Sequence, residues 1–588
     1  MYRSLILSLF WITAIAGTAG AQEWLTDYEK SGYVETPRYQ QTVDFCRKLD
    51  DYSPYALFTD FGTSPQGRKL PLLIIDKDRE FDPTGPRTQA KAIILIQGGI
   101  HSGEIEGKDA GLTLLRDFLI YNKFSDAYDS VVILFIPIFS VDAHERFGPY
   151  NRINQNGPRE MGWRTTATNL NLNRDFMKAD APEMQAWLAL FNKWRPDFLT
   201  DIHTTDGADY QYVISYAIET HPGVAPPLSR WIDGQFLPFI KQKMTESQFP
   251  LIPYVQPLHG HDYARGIGTY AFPPRFSNGY GAIQNRPFML IETHMLKPYR
   301  DRVRSTYEFL RHLIRFCNDD ATALKRAVTE SDRLSAETLV GRYLPIDFRR
   351  TKDSTMIDFF GVEYRYEDSP ISGGKKVVWG QQRQTYKLPL FDQQTSRDSV
   401  LIPYAYLIPQ EWSDIIARLQ WHGITVNRLR EAIELPVELY RLTDRNYDSV
   451  SFEGRLRVDC NTQSFRQTQS FPAGTGVVVM NQRTSRVATH LLEPKAPDSF
   501  LRWGFFNAIF EQKEYAEDYI MELIAPQMLD ADSLLRREFE TRLASDSAFA
   551  ASPDQRLNFF YERSPYWDQQ LNLYPVARLI EKRDLPLE

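Results

Sequence analysis

The chain reads as an α/β protein: a mixed, largely parallel sheet flanked by helices, followed by an α+β region in its C-terminal half. Three observations predict this. Over the first half, apolar runs of strand length alternate with helical periodicities. Two of those runs end in ionisable residues, His203 and Glu292, and a third passes through Gly98-Gly99 to His101. Beyond about residue 340 the texture changes to short alternating strands, and long helical patterns return from Ser485.

In chain order, Met1-Tyr2-Arg3 precedes an apolar stretch from Leu5 to Ala16 and the sequence Thr18-Ala19-Gly20-Ala21. A positive start, a short apolar core and an Ala-x-Ala ending predict a signal peptide over residues 1–21, cleaved after Ala21. The apolar stretch is shorter than the ~20 residues that span a bilayer. No later segment predicts a membrane span, so export to a periplasmic or extracellular space is expected. A net charge of −7 with no basic block argues against nucleic acid as a partner. Three distant cysteines, Cys46, Cys317 and Cys460, make neither a disulfide framework nor a cysteine-based zinc site. No motif speaks to oligomeric state.

Length alone predicts more than one domain. A catalytic domain is expected over residues 22–335, a β-rich accessory region over 336–475 and a mainly helical region over 476–588. In the first, Leu72–Ile75, Ala92–Ile96 and Val131–Phe139 read as strands. Glu104–Tyr121 reads as a helix, with Ile105, Leu112, Leu115, Phe118 and Leu119 at helical spacing. Ala181-Pro182-Glu183 opens a helix to Trp194, with proline in the first turn. Phe198–His203 and Phe288–Glu292 read as further strands. In a parallel sheet, sites form at the carboxyl ends of strands, where His101, His203 and Glu292 all fall. In the second half, Gly474-Thr475-Gly476 lacks phosphate-loop and dinucleotide spacing, and reads as a turn into a buried strand.

His101 and Glu104, three residues apart after a strand and a glycine turn, can reach one metal ion. Zinc catalysis needs three protein ligands and an open position, and His203 is the best third candidate. Alone, His-x-x-Glu is a common spacing. His144, His221, His312, His422 and His490 are read as surface or packing groups. His259-Gly260-His261 lies in a Pro/Gly-rich loop whose plain reading is solvated, with substrate contact as the alternative. Glu292 at the end of an apolar strand would be costly without a partner or a task.

Together, His101-x-x-Glu104, distant His203 and late Glu292 resemble the zinc carboxypeptidases of the carboxypeptidase A class over the first half of the chain. Gly162-Trp163-Arg164 and Asn171-Leu172-Asn173-Arg174 follow the family's order. The resemblance implies one zinc ion per chain, held by His101, Glu104 and His203, with Glu292 as general base. It implies Arg164 at the oxyanion, and Asn173 and Arg174 gripping a peptide's free terminal carboxylate. Tyr280 is the candidate for the family's mobile tyrosine, with Tyr270 its rival. Three positions depart from the family pattern. Asn171 stands where an aspartate orients the first histidine, Thr205 replaces a tyrosine, and Gly103 replaces a frequent arginine.

The expected function is thus an exported zinc metallocarboxypeptidase that removes C-terminal residues from peptides. A zinc amidase or deacylase, aspartoacylase-like or acting on cell-wall peptides, is the alternative. A zinc-binding module without catalysis is a third reading, against which the full set of catalytic residue types stands.

Overall fold

The computed structural model describes residues 23–85 and 91–588, so the expected signal peptide lies outside the described residues. The first half is built on an eight-stranded mixed sheet. Its strands are β1 (Ala56–Thr63), β2 (Lys69–Ile75), β3 (Ala92–Gly98), β4 (Val131–Ile136), β5 (Phe198–Thr205), β6 (Ile214–Ala217), β7 (Ile252–Pro253) and β8 (Phe288–His294). They lie in the order β1-β2-β4-β3-β5-β8-β6-β7. The central four, β4, β3, β5 and β8, are mutually parallel. Antiparallel pairs join β1 to β2, β2 to β4 and β8 to β6.

Continuous apolar runs make these central strands, because both faces of the sheet are covered. Alternation divides β3 cleanly: Ile94 and Ile96 enter one core, Ile93 and Leu95 the other. The first core takes in Leu112, Leu115 and Phe118 of the helix Glu106–Leu119, and Phe309 and Leu313 of the helix Tyr299–Asp319. The second takes in Trp187, Leu188 and Phe191 of the helix Pro182–Trp194. A buried polar pair is satisfied at this second face, where Trp187 Nε1 donates to Gln97 Oε1 at 2.8 Å.

That second core does not end with the first half. It continues through Leu344, Tyr406, Ile415, Val478 and Leu491. The second half is therefore packed against the sheet's back rather than tethered to it. Its own six-stranded sheet joins 405–408, 427–428, 433–447 and 458–471 to 476–479 and 577–579, so strand pairing crosses the expected division at 475. Pairing also crosses residue 335, because Ile267 and Gly268 lie beside Leu390 and Phe391 of the hairpin Thr355–Asp368/Lys375–Phe391. Gly474, at φ +88°, turns the chain into the buried strand Gly476–Val479. The three cysteines are free thiols. Among the described residues no helix is long and apolar enough to cross a membrane.

Candidate metal centre and active-site cleft

After β3 the chain turns at Gly99, whose φ of +66° suits glycine. A Cβ on Gly98 would lie 3.1 Å from Lys108 N, so the turn also packs tightly on the following helix. This carries His101 and Glu104 over the end of the sheet. His203 and Glu292 are direct register partners on the adjacent parallel strands β5 and β8. Both sit two residues inside strands that run on to Thr205 and His294, slightly longer than the apolar runs predicted.

The ligand atoms of His101, Glu104 and His203 all lie within 4.8 Å of one another. Glu104 Oε2 is 3.2 Å from His101 Nδ1 and 2.9 Å from His203 Nδ1. The opposite ring nitrogens are taken: His101 Nε2 donates to Asn171 Oδ1 at 2.9 Å, and His203 Nε2 to Asp201 Oδ2 at 2.8 Å. With the proton on Nε2, each Nδ1 would offer a lone pair to a shared metal ion, although Asp201 and Glu104 hold the His203 imidazole well above its usual value. Burial pulls the His101 imidazole down to about 4, keeping it in the neutral form that ligates a metal. Two imidazoles and one carboxylate, each held by an outer partner, fit a catalytic zinc ion.

These residues line a cavity of about 150 Å³ together with Arg152, Arg164, Asn173, Arg174 and Glu292. Burial pushes the Glu292 carboxyl up to about 8, against the pull of His203. Its Oε2 is buried without a hydrogen-bond partner. Arg152 and Arg164 both reach Glu104 Oε1, at 2.8 and 3.2 Å. Arg152 is nearly buried there, whereas Arg164 lines the cleft with 43% of its side chain exposed. Arg174 stacks over Phe276 at 4.0 Å. The turn that carries it is capped by Asn171, whose Oδ1 also accepts from Asn173 N at 3.0 Å. Glu453, from the second half, supports this turn from behind: its Oε2 accepts from Asn171 N at 2.9 Å.

Residues 42–217 match the sequence model of the zinc carboxypeptidase family, Peptidase_M14. Residues 42–217 are a zinc carboxypeptidase domain. The chain is 24% identical over 502 residues to carboxypeptidase 2 of Trichophyton tonsurans, covering 80% of this chain and 84% of that one. It is 22% identical over 496 residues to carboxypeptidase 2 of Trichophyton rubrum, with the same coverage of 80% and 84%. The likeness therefore extends well into the second half. Among solved structures, carboxypeptidase A from Helicoverpa armigera aligns at 16% identity and a TM-score of 0.36, over 50% of this chain and 74% of that one. The family and the relatives place the chain with the metallocarboxypeptidase hydrolases.

The carboxypeptidase domain match holds the metal trio, Arg164, Asn173 and Arg174, and ends before Glu292. Of the residues expected at the carboxypeptidase site, the structure gathers seven around one cleft and leaves one out. Tyr280 is fully buried in the helix Ser277–Ile283, packed against Phe176, Trp187 and Phe191. Its hydroxyl donates to His422 Nδ1 at 2.8 Å and accepts from Gln284 Nε2 at 2.7 Å. Gly279 and Gly281, on either side of it, serve close packing. A Cβ on Gly281 would lie 2.3 Å from Phe288 Cβ. Tyr270, its rival, lines the carboxypeptidase cleft with Tyr254.

Two residues that contact the trio went unseen in the sequence. Asp201 had a signal: it stands two residues before His203, on the same face of β5. Arg152 had none, lying in a polar loop. Its place is explained by Gly103, where a Cβ would come within 2.7 Å of Arg152 Cγ. The absent side chain leaves room for an arginine from another loop. His144, His422 and His490 are buried packing groups, as expected.

Proposed function

We propose that the protein is an exported zinc metallocarboxypeptidase that hydrolyses the last peptide bond of chains with a free C-terminal carboxylate. The observation that carries this reading is the convergence, in one cleft, of the metal trio, a buried carboxylate with an unpartnered oxygen and a guanidinium fork. One zinc ion per chain, held by His101, Glu104 and His203, supplies a lowered pKa for a bound water and polarisation of the scissile carbonyl.

The chain's own groups do the rest. Arg174 presents two parallel N–H donors to the terminal carboxylate, and Asn173 adds an amide beside them. This fixes the last residue and sets the scissile carbonyl near the trio. Glu292 Oε2 takes the proton of the attacking water. It then holds that proton and passes it to the leaving amine. Arg164 swings to the carbonyl oxygen as charge develops there. Tyr270 closes the cleft over the terminal residue.

The test is a matched pair: an N-blocked dipeptide and its C-terminal amide. Cleavage of the free acid alone supports the proposal. Equal cleavage of both contradicts the clamp, and cleavage of N-acyl amino acids without peptides favours the deacylase.

A further inference from the structure

A second cavity, of about 260 Å³, adjoins the metal cleft. Asp206 and Tyr254 line both spaces. Its floor is apolar and buried, made by Ala208, Tyr210, Tyr263 and Phe359. Its rim is exposed and polar, with Gln256 and His261. A buried apolar floor under a few polar rim groups is the usual build of a ligand pocket.

The cavity's place relative to the clamp follows from a run of rings. Arg174 lies over Phe276. Phe276 contacts Phe272, Phe272 contacts Tyr270 at 4.4 Å, and Tyr270 contacts Tyr254 at 6.5 Å between centroids. Tyr254 is thus the far end of a chain of aromatic walls that starts at the clamp. At that far end Asp206 and Tyr254 open from the metal cleft into the second cavity.

The floor is not made by the first half alone. Phe359 comes from the hairpin Thr355–Asp368/Lys375–Phe391. The hairpin is fixed by backbone contacts: Tyr263 Oη donates to Val362 O at 2.6 Å, and Gln211 N donates to Phe360 O at 2.8 Å. Gly361 permits this approach, because a Cβ there would lie 2.6 Å from Tyr263 Oη.

We infer that this cavity is a subsite for an aromatic or large aliphatic side chain on the amino side of the scissile bond, and that the hairpin of the second half exists to wall it. The inference rests on the proposed carboxypeptidase reading and adds a side-chain preference to it. An apolar cavity of about 150 Å³ takes up benzene, so about 260 Å³ accommodates a phenyl or indole ring.

The test uses the zinc-loaded full chain and N-blocked peptides with one constant C-terminal residue, preceded by Gly, Leu, Phe or Trp. Wild type is expected to favour Phe over Gly by roughly 10- to 100-fold in kcat/KM. Val255→Trp, which fills the cavity from its partly buried wall, is expected to bring that ratio close to one. Phe359→Leu, a gentler change to the floor, is expected to lower it in part. A flat wild-type series, or a ratio unchanged in a folded Val255→Trp protein, overturns the subsite. No hydrolysis of any member by wild type overturns the carboxypeptidase reading, and the subsite with it.

Discussion

Asn171 Oδ1 accepts the Nε2–H of His101 at 2.9 Å and, at 3.0 Å, the backbone N–H of Asn173. One amide oxygen thus orients a proposed metal ligand and shapes the turn that carries the proposed carboxylate clamp. An amide suffices where the family uses a carboxylate, because the task is to accept a hydrogen bond. Asp201 provides the carboxylate version of the same contact for His203.

Asn171→Leu is expected to weaken zinc binding by roughly 10- to 100-fold, the usual effect of losing a ligand's outer partner. Asn171→Asp keeps the acceptor and should bind zinc at least as well as wild type. Competition with a chromophoric chelator measures both. Wild-type affinity in the leucine variant would refute the role given to Asn171.

Arg174→Lys keeps the charge and loses the fork. KM for a free-acid peptide should rise roughly 10-fold or more, with a smaller change in kcat. The C-terminal amide should not distinguish the two proteins. Steady-state kinetics on the matched pair decides it.

Tyr280 and Tyr270 should separate stability from turnover. Tyr280→Phe leaves His422 Nδ1 without its donor and removes the shorter of the two contacts that Gln284 Nε2 makes, at a cost of about 1–3 kcal/mol. Its kcat/KM should stay near the wild-type value. Tyr270→Phe should leave the melting temperature in place and lower kcat/KM. Thermal melts and rates measured on the same samples compare them.

Burial pushes the Glu219 carboxyl from 4.5 to about 8, with Phe272 N–H and Asn278 pulling the other way. A raised acid favours the fold fully below the unfolded value near 4.5, and that contribution is lost as pH rises toward 8. Glu219→Gln does not titrate. Its melting temperature relative to wild type should therefore climb between pH 4.5 and 8 and level off above. A constant difference across that range would contradict the shift.

The cluster of His101, Glu104 and His203 was legible because its parts sit at features that sequence displays: two glycines after an apolar run, and charged residues near the ends of others. Asn173 and Arg174 were legible by their order in a polar loop. What stayed hidden depends on contacts between distant segments. Arg152 reaches Glu104 only because Gly103 makes room. Tyr280, placed by its order before Glu292, falls outside the cleft because Gly279 and Gly281 admit Pro273 and Phe288 at close range and let its helix bury the ring. The hairpin carrying Phe359 shows only as alternating residues, and nothing in that pattern says which loops it covers.

The most direct measurement is Glu292→Gln, with zinc content and turnover determined on one preparation. Gln keeps the shape and removes the base. The expected result is one zinc per chain, unchanged affinity, and hydrolysis of a free-acid peptide reduced by roughly 100-fold or more. Turnover near wild type with zinc bound would contradict the assignment of Glu292 and the mechanism built on it.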